Sequence, residues 1–243
     1  MGDGILLSQV TAGTADEFAE ALKAEGKKDT TVKMYIRQLV TMLRAAKRAG
    51  YLSDLPDISS PEAKPTKRQY LTAAELEKFK ADFREGETKR LFLFSCYTGL
   101  RYSDLINLRY SDIEKDNKGY ILSISQQKTG GRIYIPMSAE ALQLIDKGRI
   151  GLGDLVFPNR SGNKRTLATA AIRPHLHEWG LTIGKNVSIH TARHTFAVLL
   201  LSEGADLYGV SRLLGHTSLK TTQIYADLTA TRARDIIDLL DKL

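Results

Sequence analysis

Apolar residues recur with a helical period in the first part of the chain. Between residues 31 and 49 they fall every three or four positions, which places them on one face of an α-helix: Val32, Tyr35, Ile36, Leu39, Leu43 and Ala46. A shorter helix is predicted over residues 15–24. The basic residues of the longer helix share a different face, which is either a solvated surface or a phosphate-contacting one: Lys33, Arg37, Arg44 and Arg48.

A proline-rich stretch without apolar periodicity follows this helix. Residues 54–68 contain three of the six prolines, a composition typical of a linker between domains. We therefore predict a helical domain over residues 1–60, a linker over 61–68 and a second domain over 69–243.

The second domain is predicted to be mainly α-helical with a small antiparallel β-sheet, an α+β fold. Thr72 and Glu75 have the spacing of a capping box, which opens a helix. Alternating residues predict strands over 120–125 and 132–136, joined by a glycine-containing turn. Helical patterns cover the following ranges: 88–97, 103–114, 138–147, 166–179, 190–203, 206–214, 218–226 and 230–242.

Charge and composition narrow the function classes. The 243 residues carry a net charge of +7, and all of this excess lies in residues 67–243, which favours a polyanionic partner such as nucleic acid. Cys96 is the single cysteine, so the chain can form no internal disulfide and no cysteine-rich metal cage, which indicates a reducing, cytoplasmic setting. The longest apolar run, residues 196–201, is too short to span a membrane.

Four short segments carry candidate chemistry. His190 and Arg193 lie three residues apart at a predicted helix start, a spacing that suits a phosphate diester. His216 follows a glycine and precedes Tyr225 by nine residues, while Lys128 occupies the predicted hairpin turn. The fourth segment contains Arg101 and Asp104. Taken singly, each segment also fits a structural role, namely a polar helix start, a packed histidine or tyrosine, a soluble turn and a buried ion pair.

Together, five segments in this order resemble the tyrosine recombinase (phage integrase) family. They are TGLRYSDL, QQKTGGRIYIP, HTARHTFA, LLGH and TTQIYADL, and the similarity covers roughly residues 70–230. Residues 30–52 resemble the core-binding helices that precede the catalytic domain in this family. Because that core-binding domain usually has about four helices, about half of it is visible here.

The resemblance implies a specific reaction and a set of site residues. In this family a tyrosine attacks a DNA phosphodiester, giving a 3′-phosphotyrosyl link and a free 5′-hydroxyl, and strands are exchanged through a Holliday junction without metal, ATP or another cofactor. Matching positions assign the nucleophile to Tyr225, phosphate binding to Arg101, Arg193 and His216, the general acid to Lys128, the base or proton relay to His190, and support of the first arginine to Asp104.

The resemblance also implies partners. They are double-stranded DNA carrying recombination sites, other copies of the chain in a tetramer on DNA, and an accessory directionality factor; the motifs suggest a bacterial mobile element. The apolar stripe over residues 230–242 predicts a C-terminal helix that packs on its own domain or docks on a neighbouring protomer.

Three other functions compete with this interpretation. His190 and His194 have the i, i+4 spacing of a zinc hydrolase, but Thr191 stands where those enzymes place a glutamate. A non-catalytic DNA-binding module would have no use for the complete residue set. A type IB topoisomerase uses similar residues and is the runner-up.

Overall fold

The computed structural model describes residues 6–62, 68–158 and 169–226, and the chain divides into two units after Lys67. This division falls within the predicted linker. The predicted C-terminal helix over 230–242 and the predicted start of another at 166–168 lie outside the described residues.

The first unit is built on two helices, α1 (Ala12–Ala24) and α2 (Asp29–Arg48), which follow a short 3-10 turn. Helix α1 begins three residues earlier than predicted because the Thr11 side chain accepts a hydrogen bond from the Thr14 amide and caps the helix. A small apolar cluster joins the two helices: Ala19, Leu22, Val32 and Ile36, with Ile58 against it.

The described part of the second unit contains eight helices and three strands. The helices are α3 (Ala73–Asp82), α4 (Glu87–Thr98), α5 (Tyr102–Leu105), α6 (Ala139–Gln143), α7 (Thr169–Leu181), α8 (Ile189–Ser202), α9 (Leu207–Leu214) and α10 (Lys220–Ala226). The strands are β1 (Ile113–Asp116), β2 (Gly119–Ser125) and β3 (Arg132–Pro136). They form one antiparallel sheet in the order β1-β2-β3.

Aromatic packing fixes the first helices of this unit. Phe79 of α3 contacts Phe83, Phe92 of α4 and Trp179 of α7, with ring centroids 4.5 to 4.8 Å apart. The predicted capping box at the start of α3 is confirmed, because Thr72 and Glu75 exchange hydrogen bonds between side chain and backbone. The same Glu75 forms an ion pair with Lys185, which ties α3 to the segment before α8.

The predicted fold class is confirmed, and the β2–β3 hairpin lies where the alternation predicts it. Ser125 pairs with Arg132, and the turn closes through hydrogen bonds from the Gln126 amide to the Gly131 carbonyl and from the Gly130 amide to the Gln126 carbonyl. Gly130 has a φ of +67°, a conformation that favours glycine. Helices α4, α8, α9 and α10 agree with their predicted bounds within two residues.

The helix predicted over residues 103–114 is wrong. Helix α5 ends at Leu105, and the chain continues through a 3-10 turn (Tyr110–Asp112) into strand β1, which the sequence analysis missed. The cause is a distant partner: the backbone of residues 108–110 exchanges hydrogen bonds with residues 151–156. The helix predicted over 138–147 is also too long, since α6 ends at Gln143.

No helix in the described ranges is long and apolar enough to cross a membrane.

A second apolar cluster joins α8, α9 and α10 and includes Phe196, Leu214 and Tyr225. Gly99, which ends α4, lies against it in the left-handed conformation, with φ of +67°. A Cβ atom at position 99 would come within 2.5 Å of the Phe196 ring. Glycine is therefore required here both for its conformation and for the close contact of the two helices.

We expect Gly99→Ala to destabilise the protein more than Gly184→Ala. Gly184 has nearly the same φ, +66°, but no atom lies within 4 Å of the place that a Cβ atom would occupy there. The left-handed conformation alone costs about 1 kcal/mol for alanine, and overpacking adds about 1–3 kcal/mol at position 99. Urea unfolding of both variants measures the difference. Equal losses would show that Phe196 moves aside without cost.

Candidate active site

Arg193 is the buried centre of the candidate site. Its side chain on α8 is 2% exposed and donates to two carbonyls, from Nη1 to Gly99 at 2.7 Å and from Nη2 to Leu214 at 2.7 Å. Gly99 and Leu214 lie at the C-terminal ends of α4 and α9, where carbonyls lack helical partners and the helix dipole is negative. Burial, followed by the charge of Arg101, lowers the pKa of Arg193 to about 10, so the guanidinium remains charged at neutral pH.

His216 lies directly against this guanidinium. Gly215 ends α9 with φ of +62° and turns the chain so that His216 Nε2 lies 3.0 Å from Arg193 Nη2. Because a guanidinium can only donate, Nε2 accepts, and Nδ1–H donates to Thr222 Oγ1 at 2.7 Å. Burial, and then the charge of Arg193, lowers the pKa of His216 to about 4. His216 is therefore neutral at physiological pH.

Tyr225 on α10 is 2% exposed, and its hydroxyl lies 2.6 Å from Nδ1 of His194. Burial raises the pKa of the Tyr225 phenol, although the charges of Arg68, Arg193 and Arg101 oppose this shift. Burial, followed by His190, lowers the pKa of His194 to about 3. Proton transfer from Tyr225 to His194 is therefore unfavourable, because the pKa of the phenol is raised and that of His194 is lowered, and His194 holds the phenol rather than deprotonating it.

His190 lies at the exposed start of α8, with its ring edge-on to His194 at a centroid distance of 4.5 Å. Desolvation lowers the pKa of His190, and the charges of Arg193, Arg68, Arg101 and Lys128 act in the same direction. The predicted base is thus surrounded by cations.

Arg101 is the N-cap residue of α5, and among the residues that the structure describes its buried Nη1 has no hydrogen-bond partner. Asp104 is also buried, and its Oδ1 accepts a hydrogen bond from the Gln127 amide at 2.9 Å. Among the described residues, no ion pair forms between Arg101 and Asp104. The support of Arg101 by Asp104 therefore stays a prediction. In the structure, Asp104 contacts the β2–β3 turn instead, through the Gln127 amide.

Lys128 lies on that turn and is exposed. Its charge helps to lower the pKa of His190. The neighbouring Gln126 donates to the Leu214 carbonyl, so the turn lies beside the C-terminal end of α9. The structure therefore brings Arg101, His190, His216 and Tyr225 near Arg193, and Lys128 near His190.

The four basic residues of α2 are all exposed, and they lie on a stripe that is distinct from the buried face of that helix. They belong to the first unit: Lys33, Arg37, Arg44 and Arg48. Their contact with DNA stays a prediction.

His194 contacts Tyr225, although the sequence motifs assign it no catalytic role. Its spacing from His190 is the available signal, and that spacing suggests a zinc ligand instead. In the structure its Nδ1 is occupied by the Tyr225 hydroxyl. Within the described ranges, no group of three or more His, Cys, Asp or Glu side chains is arranged to hold a metal ion.

These groups suit chemistry on a phosphate diester. Charged guanidinium groups supply donors to non-bridging oxygens, and a phenol supplies a nucleophile that can form a covalent intermediate. Preorganised donors of this kind stabilise the charge that develops in a transition state.

Comparison with known proteins identifies the family. The model of the phage integrase family matches residues 69–232, well over half of the chain. The chain belongs to the phage integrase family. This membership confirms the family prediction made from the five motifs.

The relatives are tyrosine recombinases. The chain is 26% identical to the tyrosine recombinase XerA of Pyrococcus horikoshii over 94% of both proteins. It is 30% identical to the tyrosine recombinase XerC of Pelobacter propionicus, covering 96% of this chain and 85% of the relative. These matches confirm the prediction of a site-specific recombinase that cleaves and religates DNA, and they do not favour the topoisomerase alternative.

Solved structures share the fold. The XerH site-specific recombinase bound to a palindromic difH substrate aligns with a TM-score of 0.75 at 22% identity, over 97% of this chain and 74% of that chain. The Tn1549 transposon integrase in complex with circular intermediate DNA gives a TM-score of 0.71 at 20% identity, over 89% and 81%.

We expect His194 to make folding stability depend on pH. Its pKa is about 3 in the folded state, below the ordinary value of 6.5, so the unfolded chain binds a proton first as the pH falls. Its contribution to stability is present above pH 6.5 and is lost below it, by about 1.4 kcal/mol per pH unit.

Urea unfolding between pH 7 and pH 5 tests this expectation. His194→Asn should reduce the slope of stability against pH, whereas His177→Asn, at an exposed histidine of α7, should leave it unchanged. Identical slopes for both variants and the wild type would contradict the assignment.

Proposed function

We propose that this chain is a DNA strand-exchange enzyme that cleaves through Tyr225, with Arg193, Arg101 and His216 holding the scissile phosphate. One observation carries the proposal: the Tyr225 phenol interacts electrostatically with Arg193, which contacts His216, and with Arg101. Among the described residues, the buried Nη1 of Arg101 has no hydrogen-bond partner. That Nη1 is suited to bind a non-bridging phosphate oxygen.

The cleavage step balances without a cofactor. The phenol oxygen of Tyr225 attacks phosphorus and forms a P–O bond, its proton passes toward His190 or water, and the bond to the 5′-oxygen breaks. The Lys128 ammonium protonates that leaving oxygen. Because the phosphotyrosyl link is itself a phosphodiester, the 5′-hydroxyl of another strand can reverse the step without an external energy source.

Strand exchange between two duplexes requires several active sites. We extend the proposal to a tetramer on DNA that passes through a Holliday junction, assisted by an accessory directionality factor. The solved structures of XerH and of the Tn1549 integrase are complexes with DNA, which supports DNA as a partner of this chain. Asp104 is proposed to support Arg101 because Arg101 is the N-cap residue of α5 and Asp104 lies in the first turn of the same helix.

The first unit is proposed to bind the DNA backbone through α2. Lys33, Arg37, Arg44 and Arg48 recur at positions that share one exposed stripe, whereas Val32 lies buried on another face. Phosphate contacts of this kind give affinity without reading the sequence.

We expect a covalent protein–DNA adduct that depends on Tyr225. The protein is incubated in EDTA with a randomised pool of nicked duplexes, which trap cleavage by losing a short 5′-hydroxyl fragment. DNA that stays attached after denaturation is then sequenced, and inverted repeats should be enriched. Tyr225→Phe should abolish the adduct because it removes the attacking oxygen.

Tyr208→Phe is the matched control, since Tyr208 is 62% exposed on α9 and should leave the adduct unchanged. An adduct that persists in Tyr225→Phe would refute the assignment of the nucleophile. Specific binding without any adduct would favour a non-catalytic DNA-binding module. Relaxation of a supercoiled plasmid without joining of separate duplexes would favour a topoisomerase.

We expect each α2 variant, such as Arg37→Gln, to lower the slope of log affinity against log salt by about 0.9, the value for one lost phosphate contact. Filter binding to one duplex at several salt concentrations measures the slope. Lys23→Gln on α1 is the control, because Lys23 pairs with Glu20. If the slope is unchanged in all four α2 variants, the basic residues of α2 form a solvated surface that does not contact DNA.

A further inference from the structure

Gln126 is a buried polar residue at the base of the β2–β3 turn. It is 1% exposed, and both polar atoms of its amide are bonded. Nε2 donates to the Leu214 carbonyl at 2.9 Å, and Oε1 accepts from Thr129 Oγ1 at 2.8 Å. The side chain therefore joins two segments that lie 88 residues apart in the sequence.

The carbonyl that receives this bond also binds the candidate phosphate-binding arginine. Leu214 O accepts from Arg193 Nη2 at 2.7 Å and from Gln126 Nε2 at 2.9 Å, which uses both of its lone pairs. One backbone oxygen at the end of α9 thus connects the turn to Arg193. Any shift of the Gln126 amide displaces the turn relative to that arginine.

Gly215 provides the space for this contact. A Cβ atom at position 215 would lie 2.4 Å from the Gln126 amide oxygen, so a side chain there would expel the amide. Because His216 is the next residue, the amide of Gln126 packs directly beside the turn that presents that histidine.

Few contacts fix the position of the Lys128 side chain. It lies two residues after Gln126 and is exposed, and within the described residues its ammonium has no hydrogen bond or ion pair. Its location is therefore set by the turn backbone, which is held from outside at two points. One is the bond from the Gln127 amide to Asp104, and the other is the bond from Gln126 to Leu214.

We propose that Gln126 is a positioning residue that holds the Lys128 turn against Arg193 and His216, so that the ammonium reaches the leaving 5′-oxygen. This inference rests on the proposed function, in which Lys128 is the general acid. Misplacement of a catalytic group by about 1 Å can cost about 100-fold in rate. We expect Gln126→Met, which preserves the length of the side chain and removes the amide, to slow cleavage by about 10- to 100-fold.

A sulfur-substituted substrate separates this role from a general structural one. The substrate is a nicked duplex recovered by the adduct selection, with the bridging 5′-oxygen replaced by sulfur. A thiolate leaves without protonation because a thiol has a pKa of about 8.5, far below that of an alcohol. Variants that impair only the general acid are therefore rescued by sulfur.

Single-turnover cleavage rates are compared on the oxygen and sulfur substrates. Lys128→Ala should lose about 100-fold or more on oxygen and return to within about fivefold of the wild type on sulfur. Gln126→Met should show the same pattern with a smaller loss on oxygen. Gln127→Met is the matched control, since the neighbouring residue makes its observed contact through the backbone, and it should cleave both substrates normally.

Each other outcome overturns the inference. If Lys128→Ala is rescued but Gln126→Met is equally slow on both substrates, or is not slow on oxygen, Gln126 does not act through Lys128 and the proposed function stands. If sulfur does not rescue Lys128→Ala, the proposed role of Lys128 fails and the inference fails with it.

Gln126→Glu provides a second variant in case Gln126→Met does not fold. It keeps Oε1 for Thr129 and replaces the donor to Leu214 by an acceptor, so it should show the same rescue. Loss of the cooperative unfolding transition in both variants would make Gln126 a folding determinant instead.

Discussion

The buried guanidinium of Arg193 is the interaction on which the rest of the site depends. A charge taken out of water is costly unless it is hydrogen-bonded, and here the two terminal nitrogens bind two helix-end carbonyls and a histidine. Those carbonyls belong to Gly99 and Leu214, so a single side chain fixes the ends of α4 and α9 relative to α8. Loss of the guanidinium would remove the Arg193 donor from the Gly99 carbonyl and would leave the Leu214 carbonyl with its bond from Gln126.

Burial, reinforced by the nearby positive charges, determines the protonation of the histidines. Burial and the nearby arginines lower the pKa values of His190, His194 and His216, so all three are neutral at physiological pH. In the structure, Nε2 of His216 accepts from Arg193. A bond from this nitrogen to a phosphate oxygen requires a proton on Nε2, and an incoming anion favours that form because it offsets the surrounding positive charge.

The sequence predicts those features that depend on local pattern. The amphipathic face of α2, the capped start of α3 and the glycine turn between β2 and β3 follow from residues a few positions apart. The early end of α5 does not, because residues 108–110 pair with a distant segment. The contacts of His194 with Tyr225 and of Gln126 with Leu214 also depend on how separate elements pack, so no local spacing reveals them.

The burial of Tyr225 poses a physical problem that its hydrogen bond helps to solve. A phenol that is 2% exposed needs a polar partner, and neutral His194 supplies one without removing the proton. A typical hydrogen bond of this kind contributes about 1 kcal/mol net, which is small beside the free energy of binding to DNA. His194 therefore provides a hydrogen bond to the phenol in the free protein, and the free energy needed to break that bond is small enough for the proposed attack on a phosphate. The hydroxyl of Tyr225, the proposed nucleophile, is thus held by one neutral hydrogen bond, whereas Arg193, the proposed phosphate ligand, is held by three bonds from its charged group.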